Sequence, residues 1–156
     1  MLCALLAPLL LAGCGADPLA VQVPDLPDDE AAACRDLVAA LPDEVDGQDR
    51  REITGADGRA AAWGDPAIVL RCGVPQPSDF TDTATCIEAN GTGWYVPDAV
   101  LESDDQSLDV TMTAVGFRPR VEVFLPGDYR PDGFTNVSGA IGTVVAEQLD
   151  EVTPCR

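Results

Sequence analysis

Histidine and lysine are both missing from this sequence, and its nine basic side chains are all arginine. Without histidine there is no Ser-His or Cys-His dyad, no imidazole-ligated metal and no histidine proton shuttle. Without lysine there is no Schiff base and no P-loop lysine. Positive charge is scarce as well: 27 Asp and Glu stand against those arginines, for a formal net charge of −18. Such a surface repels phosphate backbones, so electrostatic nucleic-acid binding is excluded. No CxxC pair occurs, which argues against a zinc ribbon or a thioredoxin-like redox centre. No GxSxG occurs, and Ser138 lacks a His partner, so acyl-transfer chemistry has no support. At 156 residues the chain has room for one ordinary domain.

What is there begins with an uncharged run, MLCALLAPLLLAGC. About a dozen apolar residues match the core of a secretory signal and fall short of the roughly 20 that a spanning helix needs. Leu11-Ala12-Gly13-Cys14 resembles a bacterial lipobox, in which the Cys thiol takes a diacylglyceryl group, with palmitate-type chains, before cleavage. No basic residue precedes Arg35, so the basic stretch that opens such signals is expected upstream of Met1. The expected organisation is a signal peptide over residues 1–13, a lipidated Cys14 with a tether over 14–27, and one globular domain over 28–156. Two buried acyl chains hold a protein on a bilayer stably where one does so only marginally.

Removing Cys3 with the signal and committing Cys14 to lipid leaves Cys34, Cys72, Cys86 and Cys155. An even number in an exported domain reads as two disulfides, with three connectivities open. The favoured pairing is Cys72–Cys86, a clip between successive strands, with Cys34–Cys155 joining the two ends of the domain. Cys34–Cys86 with Cys72–Cys155 is the alternative.

Ala31, Cys34, Leu37, Val38 and Leu41 recur on one helical face after the acidic start Asp28-Asp29-Glu30, and Pro42 stops the pattern. Residues 43–58 are polar and read as a loop. From Arg59 the period falls toward two. Strands are expected at 59–63, 67–72, 84–89, 93–96, 108–115 and 120–125, with Asn90-Gly91 as a hairpin turn. Ile68, Leu70 and Cys72 share one face, with Val69 and Arg71 on the other. Val137, Ile141, Val144, Val145 and Leu149 then form a helical stripe in which Gly139 and Gly142 lower the propensity. Helix, grouped strands and helix predict an α+β fold. Its mostly antiparallel sheet has about five or six strands, with the N-terminal and C-terminal helices on one face.

Arg71 lies inside an apolar strand, where an unpaired charge is costly. It must reach solvent, pair with an acid on the sheet's outer face, or face a ligand. If Arg71, Arg118, Trp63 and Trp94 converge they form a candidate anion- or sugar-binding patch, because arginine and tryptophan are typical binding anchors; plain core filling is the simpler role for the tryptophans. Glu102, Asp104, Asp105 and Asp109 form one acidic cluster, and Asp43, Glu44, Asp46 and Asp49 another. Neither fits the EF-hand spacing, so solvated loops are expected and no metal or cofactor is assigned. Paired carboxylates could run glycan hydrolysis without histidine, but with so many acids some pair is always close.

The segments Cys34 to Leu41-Pro42, Ala62-Trp63-Gly64-Asp65-Pro66, Leu70-Arg71-Cys72-Gly73-Val74, Cys86, Asn90-Gly91 to Trp94, Gly116-Phe117-Arg118-Pro119 and Val121 to Pro126 follow one another in order. In this the chain resembles DUF3515, an actinobacterial family of small secreted or lipid-anchored proteins, over residues 29 to about 149. The resemblance implies export, a disulfide and an envelope location, and it implies no activity. The functional expectation is a lipid-anchored protein on the outer face of the cell membrane. It would be a non-catalytic binding or assembly module with an envelope protein as partner; the alternative is a carboxylate-dependent cell-wall hydrolase.

Overall fold

The computed structural model describes residues 17–155. The expected signal over 1–13 and the lipidated Cys14 lie outside the described residues. Among the described residues the chain forms three helices and one large antiparallel sheet, in the order β1 (Leu19–Ala20), α1 (Asp28–Ala40), β2 (Glu44–Val45), β3 (Gln48–Arg51), β4 (Ile53–Thr54), β5 (Ala60–Trp63), β6 (Ile68–Cys72), β7 (Cys86–Ala89), β8 (Thr92–Tyr95), α2 (Asp98–Leu101), β9 (Val110–Ala114), β10 (Phe117–Arg118), β11 (Val121–Leu125), α3 (Asp132–Gln148) and β12 (Asp150–Glu151). The sheet runs β2-β3-β5-β6-β11-β9-β8-β7, while β1-β4 and β10-β12 make two small side pairings.

The α+β class with an antiparallel sheet is therefore as expected, but the count is not: the sheet has eight strands rather than five or six, and a third helix, α2, sits mid-chain. The excess in strands comes from residues 43–58, read as loop: β2 and β3 join the large sheet there, and β4 pairs with β1 beside it. The side chains of β2 and β3 are largely polar and these strands lie toward the sheet's rim, so no apolar alternation marks them. The turn between β2 and β3 has positive φ at both Asp46 (51°) and Gly47 (71°). That is the same Asx-Gly hairpin chemistry that makes the turn at Asn90-Gly91 between β7 and β8.

The core lies between one sheet face and helices α1 and α3. Strand alternation sends Ile68, Leu70 and Cys72, then Val110, Met112 and Ala114, then Val121, Val123 and Leu125 to that face, where Leu37, Val38, Val137, Ile141 and Val145 meet them. Leu108, the first residue of the strand expected at 108–115, precedes β9 and is exposed. Helix α1 carries acids in its first turn, as its dipole favours, but no base in its last. Arg50 of β3 supplies it from outside: its guanidinium donates to the Val38 (2.9 Å) and Leu41 (3.2 Å) carbonyls and lies over the Trp63 ring.

Helix α3 can approach the sheet because position 142 has no side chain. A Cβ there would stand 2.5 Å from the Ala89 carbonyl oxygen, a backbone atom with little freedom to retreat. At Gly139 the nearest neighbour would be the Asn90 amide nitrogen at 3.4 Å. Both glycines lower helix propensity by about 1 kcal/mol against alanine. Gly139→Ala is therefore expected to be neutral or mildly stabilising, whereas Gly142→Ala should cost about 1–3 kcal/mol through overpacking. Urea denaturation of the two variants checks this, and equal midpoints would contradict it.

The disulfides are Cys34–Cys72 and Cys86–Cys155, neither the favoured pairing nor the alternative. Face parity explains the correction. Cys72 points to the core face, under α1, whereas Cys86 lies opposite Tyr95 on the outer face, so Cys72 and Cys86 are on opposite sides of the sheet. The end of the chain crosses that outer face, with the Val152 and Thr153 N–H groups donating to the Gly116 carbonyl, which brings Cys155 to Cys86.

The described part of the expected tether also differs. Leu19 and Ala20 pair in parallel with Ile53 and Thr54, and Val21 is buried against Ala56 and Ala60. Arg59, itself buried, donates to the Pro24 carbonyl, and Leu26 packs against the main core. Residues 19–26 are thus laid along the domain, because their alternate apolar side chains find an uncovered stretch of the outer face.

Candidate functional site

The four residues expected to converge do not. Trp63 and Trp94 are fully buried on the helix side of the sheet, Trp63 donating its indole N–H to the Pro42 carbonyl at 3.0 Å. Arg71 is on the opposite face, where it pairs with Glu122 directly across the β6–β11 register. Its side chain keeps 42% of its exposure, so this is the outer-face ion pair, and in that setting such a pair contributes little to stability. Arg118 sits at the β10 end and donates to the Val115 (2.9 Å) and Phe117 (2.6 Å) carbonyls.

The acidic clusters are taken up locally. Asp105 accepts the hydroxyl (2.7 Å) and backbone N–H (2.9 Å) of Ser107, and those bonds hold its carboxyl below the usual carboxylate range. Asp109 accepts the Gly127 N–H, and Asp46 accepts the Asn136 amide. Among the described residues no three or more His, Cys, Asp or Glu side chains gather as metal ligands.

Three clefts lie around the proline-rich segment 73–84. The first, about 660 Å3, is walled by Phe80 and Asp82 of that segment, Val115 and Arg118 of the β9–β10 region, and the C-terminal Thr153 and Cys155. The Cys86–Cys155 disulfide fixes this last wall. The second, about 420 Å3, has a floor made by one cross-strand row: Tyr95 opposite Thr113, Thr113 opposite Glu122. Asp79 and Gln76 close it from above. Tyr95 packs edge-on against Phe80, with ring centroids 5.2 Å apart. Burial, and then the Asp79 carboxylate beside it, push the Tyr95 hydroxyl above its ordinary pKa, so it remains a neutral hydrogen-bonding group.

The third cleft, also about 420 Å3, lies between the laid-down N-terminal segment and the β10–β11 turn. Asp25, Glu30, Arg118 and Arg120 line it together with Gly73 and Val74, whose N–H groups donate to the Arg120 carbonyl. Gln76 lines both the first and the second cleft, and Arg118 both the first and the third, so the three are neighbours around the loop.

Arg120 is the residue that sequence reading passed over, although Arg118-Pro119-Arg120 places two of nine basic groups within three positions. Its Nη2 reaches Gln76 Oε1 at 3.2 Å, while its Nε is out of reach of water and has no acceptor. Desolvation, and then the neighbouring Arg118 charge, depress its pKa; Glu30 acts in the opposite direction. Asp25, Glu30 and Tyr95 were also missed, since only the fold brings residues 25, 30 and 120 to one cleft and Tyr95 to the next.

A family model described as Protein of unknown function (DUF3515) matches residues 1–149. No curated protein and no solved structure matches the chain.

Proposed function

Because the chain belongs to the DUF3515 family, a grouping that carries no activity with it, we propose its role from its own residues: a lipid-anchored cell-envelope protein that serves as a non-catalytic binding or assembly module. The Leu11-Ala12-Gly13-Cys14 motif supports the anchor. No described helix is long and apolar enough to cross a membrane. Two disulfides, one on each face of the sheet, suit an oxidising compartment outside the cytosol.

The observation that carries the binding role is the group of three clefts around residues 73–84. The Cys86–Cys155 disulfide pins one wall of the first, and Tyr95, Thr113 and Glu122 in the second stand on paired strands, an arrangement that lowers the entropic cost of recognition. The hydrolase alternative finds less support there. It needs two carboxylates about 5–9 Å apart and free to act, and Glu122, which shares the second cleft with Asp79, is engaged by Arg71.

A photocrosslinking residue placed at Gln76, between the clefts, should trap one discrete adduct in cells. The same residue at Glu147, exposed on α3, should trap none. Equal labelling from both positions, or none from Gln76, would count against a binding role for this face.

A further inference from the structure

The third cleft holds charges of both signs that do not meet. Asp25 and Glu30 come from the N-terminal segment and the first turn of α1; Arg118 and Arg120 come from the turn that enters β11. Among the described residues the ion pairs within 4.0 Å are Arg51–Asp65 and Arg71–Glu122, and neither cleft arginine is in one. In a chain with three times as many acids as bases, two adjacent guanidiniums without a bridging carboxylate are unusual. Arg120 lines this cleft, and the side-chain hydrogen bond it makes is from Nη2 to Gln76, with no carboxylate on its guanidinium.

Opposite charges that line one cleft without bridging leave room for a molecule carrying both. We propose that this cleft binds a small α-amino zwitterion, an amino acid or short peptide. Its carboxylate lies on Arg118 and Arg120, and its ammonium faces Glu30 and Asp25. A guanidinium fork matches a carboxylate bidentately, and an ammonium is a compact point charge that two carboxylates can share. The volume, about 420 Å3, is within the range of small-molecule sites. A simple anion would meet the two acids, and a simple cation the two arginines, so the pair of signs selects against both. The ligand class rests on the binding-module reading, but a partner trapped at Gln76 would stand whatever this cleft holds.

The test is amide chemical-shift titration of the full-length protein in detergent at pH 6, where an α-amino group is fully protonated. The probes are dialanine, N-acetylalanine (carboxylate only) and alaninamide (ammonium only). Dialanine should shift Gly73 and Val74 saturably, and each single-charge analogue should bind at least about tenfold more weakly. Arg120→Gln should reduce dialanine to the level of alaninamide. Glu30→Gln, a change on an open helix turn that leaves the core alone, should reduce it to that of N-acetylalanine. No saturable shift with dialanine, equal binding of N-acetylalanine, or indifference to both substitutions would overturn the proposal.

Discussion

Replacing Cys34 and Cys72 together by alanine is expected to cost about 4 kcal/mol of stability, because the bridge closes a loop across a sequence separation of 38. That is a large share of the roughly 5–15 kcal/mol that holds an ordinary domain folded. The melting temperature should fall by roughly 10 °C. The bridge ties the middle of α1 to the core face of β6, and both sulfurs are fully buried. Besides the entropy of the unfolded chain, its loss therefore weakens the docking of the helix that walls the third cleft. Cys86–Cys155 spans a separation of 69 and should contribute a similar amount, yet Cys155 is only partly buried. Mild reductant should open Cys86–Cys155 first, since exposed disulfides are the labile ones. A Cys34→Ala/Cys72→Ala variant that melts within a degree or two of the parent would show that α1 is held without the bridge.

With residues 1–13 exchanged for a secretory signal whose cleavage needs no acylated Cys, Cys14→Ala is expected to move the protein from the membrane fraction to the soluble fraction almost completely. Each buried methylene contributes about 0.8 kcal/mol to membrane attachment. If Cys14 is acylated as proposed, the substitution takes away that whole contribution, and no described helix is long and apolar enough to cross the membrane in its place. Unchanged sedimentation with membranes would sink the anchor. The structure adds a geometric consequence. Leu19 is already paired with Ile53, and Arg51 reaches the Asp17 carbonyl. The three residue steps from Cys14 to Asp17 span at most roughly 11 Å, so an anchored domain sits close against the headgroups instead of standing clear of them on a free tether. Inserting a flexible linker after Ala16 leaves this packing intact and separates anchoring from apposition.

The elements that were legible in the sequence are those whose side chains alternate against a core. β6, β9 and β11 show period two because one face is covered by helices, and α1 shows period 3.6 for the same reason. The turn at Asn90-Gly91 was legible through its own backbone chemistry. β2 and β3 were not: near the rim of the sheet their polar side chains carry no burial signal, and only Asp46-Gly47 marked the hairpin. Disulfide pairing depends on which face each strand turns to its neighbours, and that follows from strand order, which sequence proximity misjudged. The same holds for the candidate patch. Trp63 and Arg71 are on adjacent strands, but pairing of Trp63 with Ile68 sends them to opposite faces. The site residues that were missed, Asp25, Glu30 and Arg120, are ordinary charged residues until an N-terminal segment laid across the outer face brings them together.

The most direct measurement is mass spectrometry, without reduction, of the protein taken from its own membranes. The expected result is an N-terminal Cys14 bearing a diacylglyceryl mass, with linked peptides joining Cys34 to Cys72 and Cys86 to Cys155. An unmodified Cys14 still preceded by Gly13, with the other four cysteines open to alkylation, would contradict both the anchor and the exported, cross-braced domain.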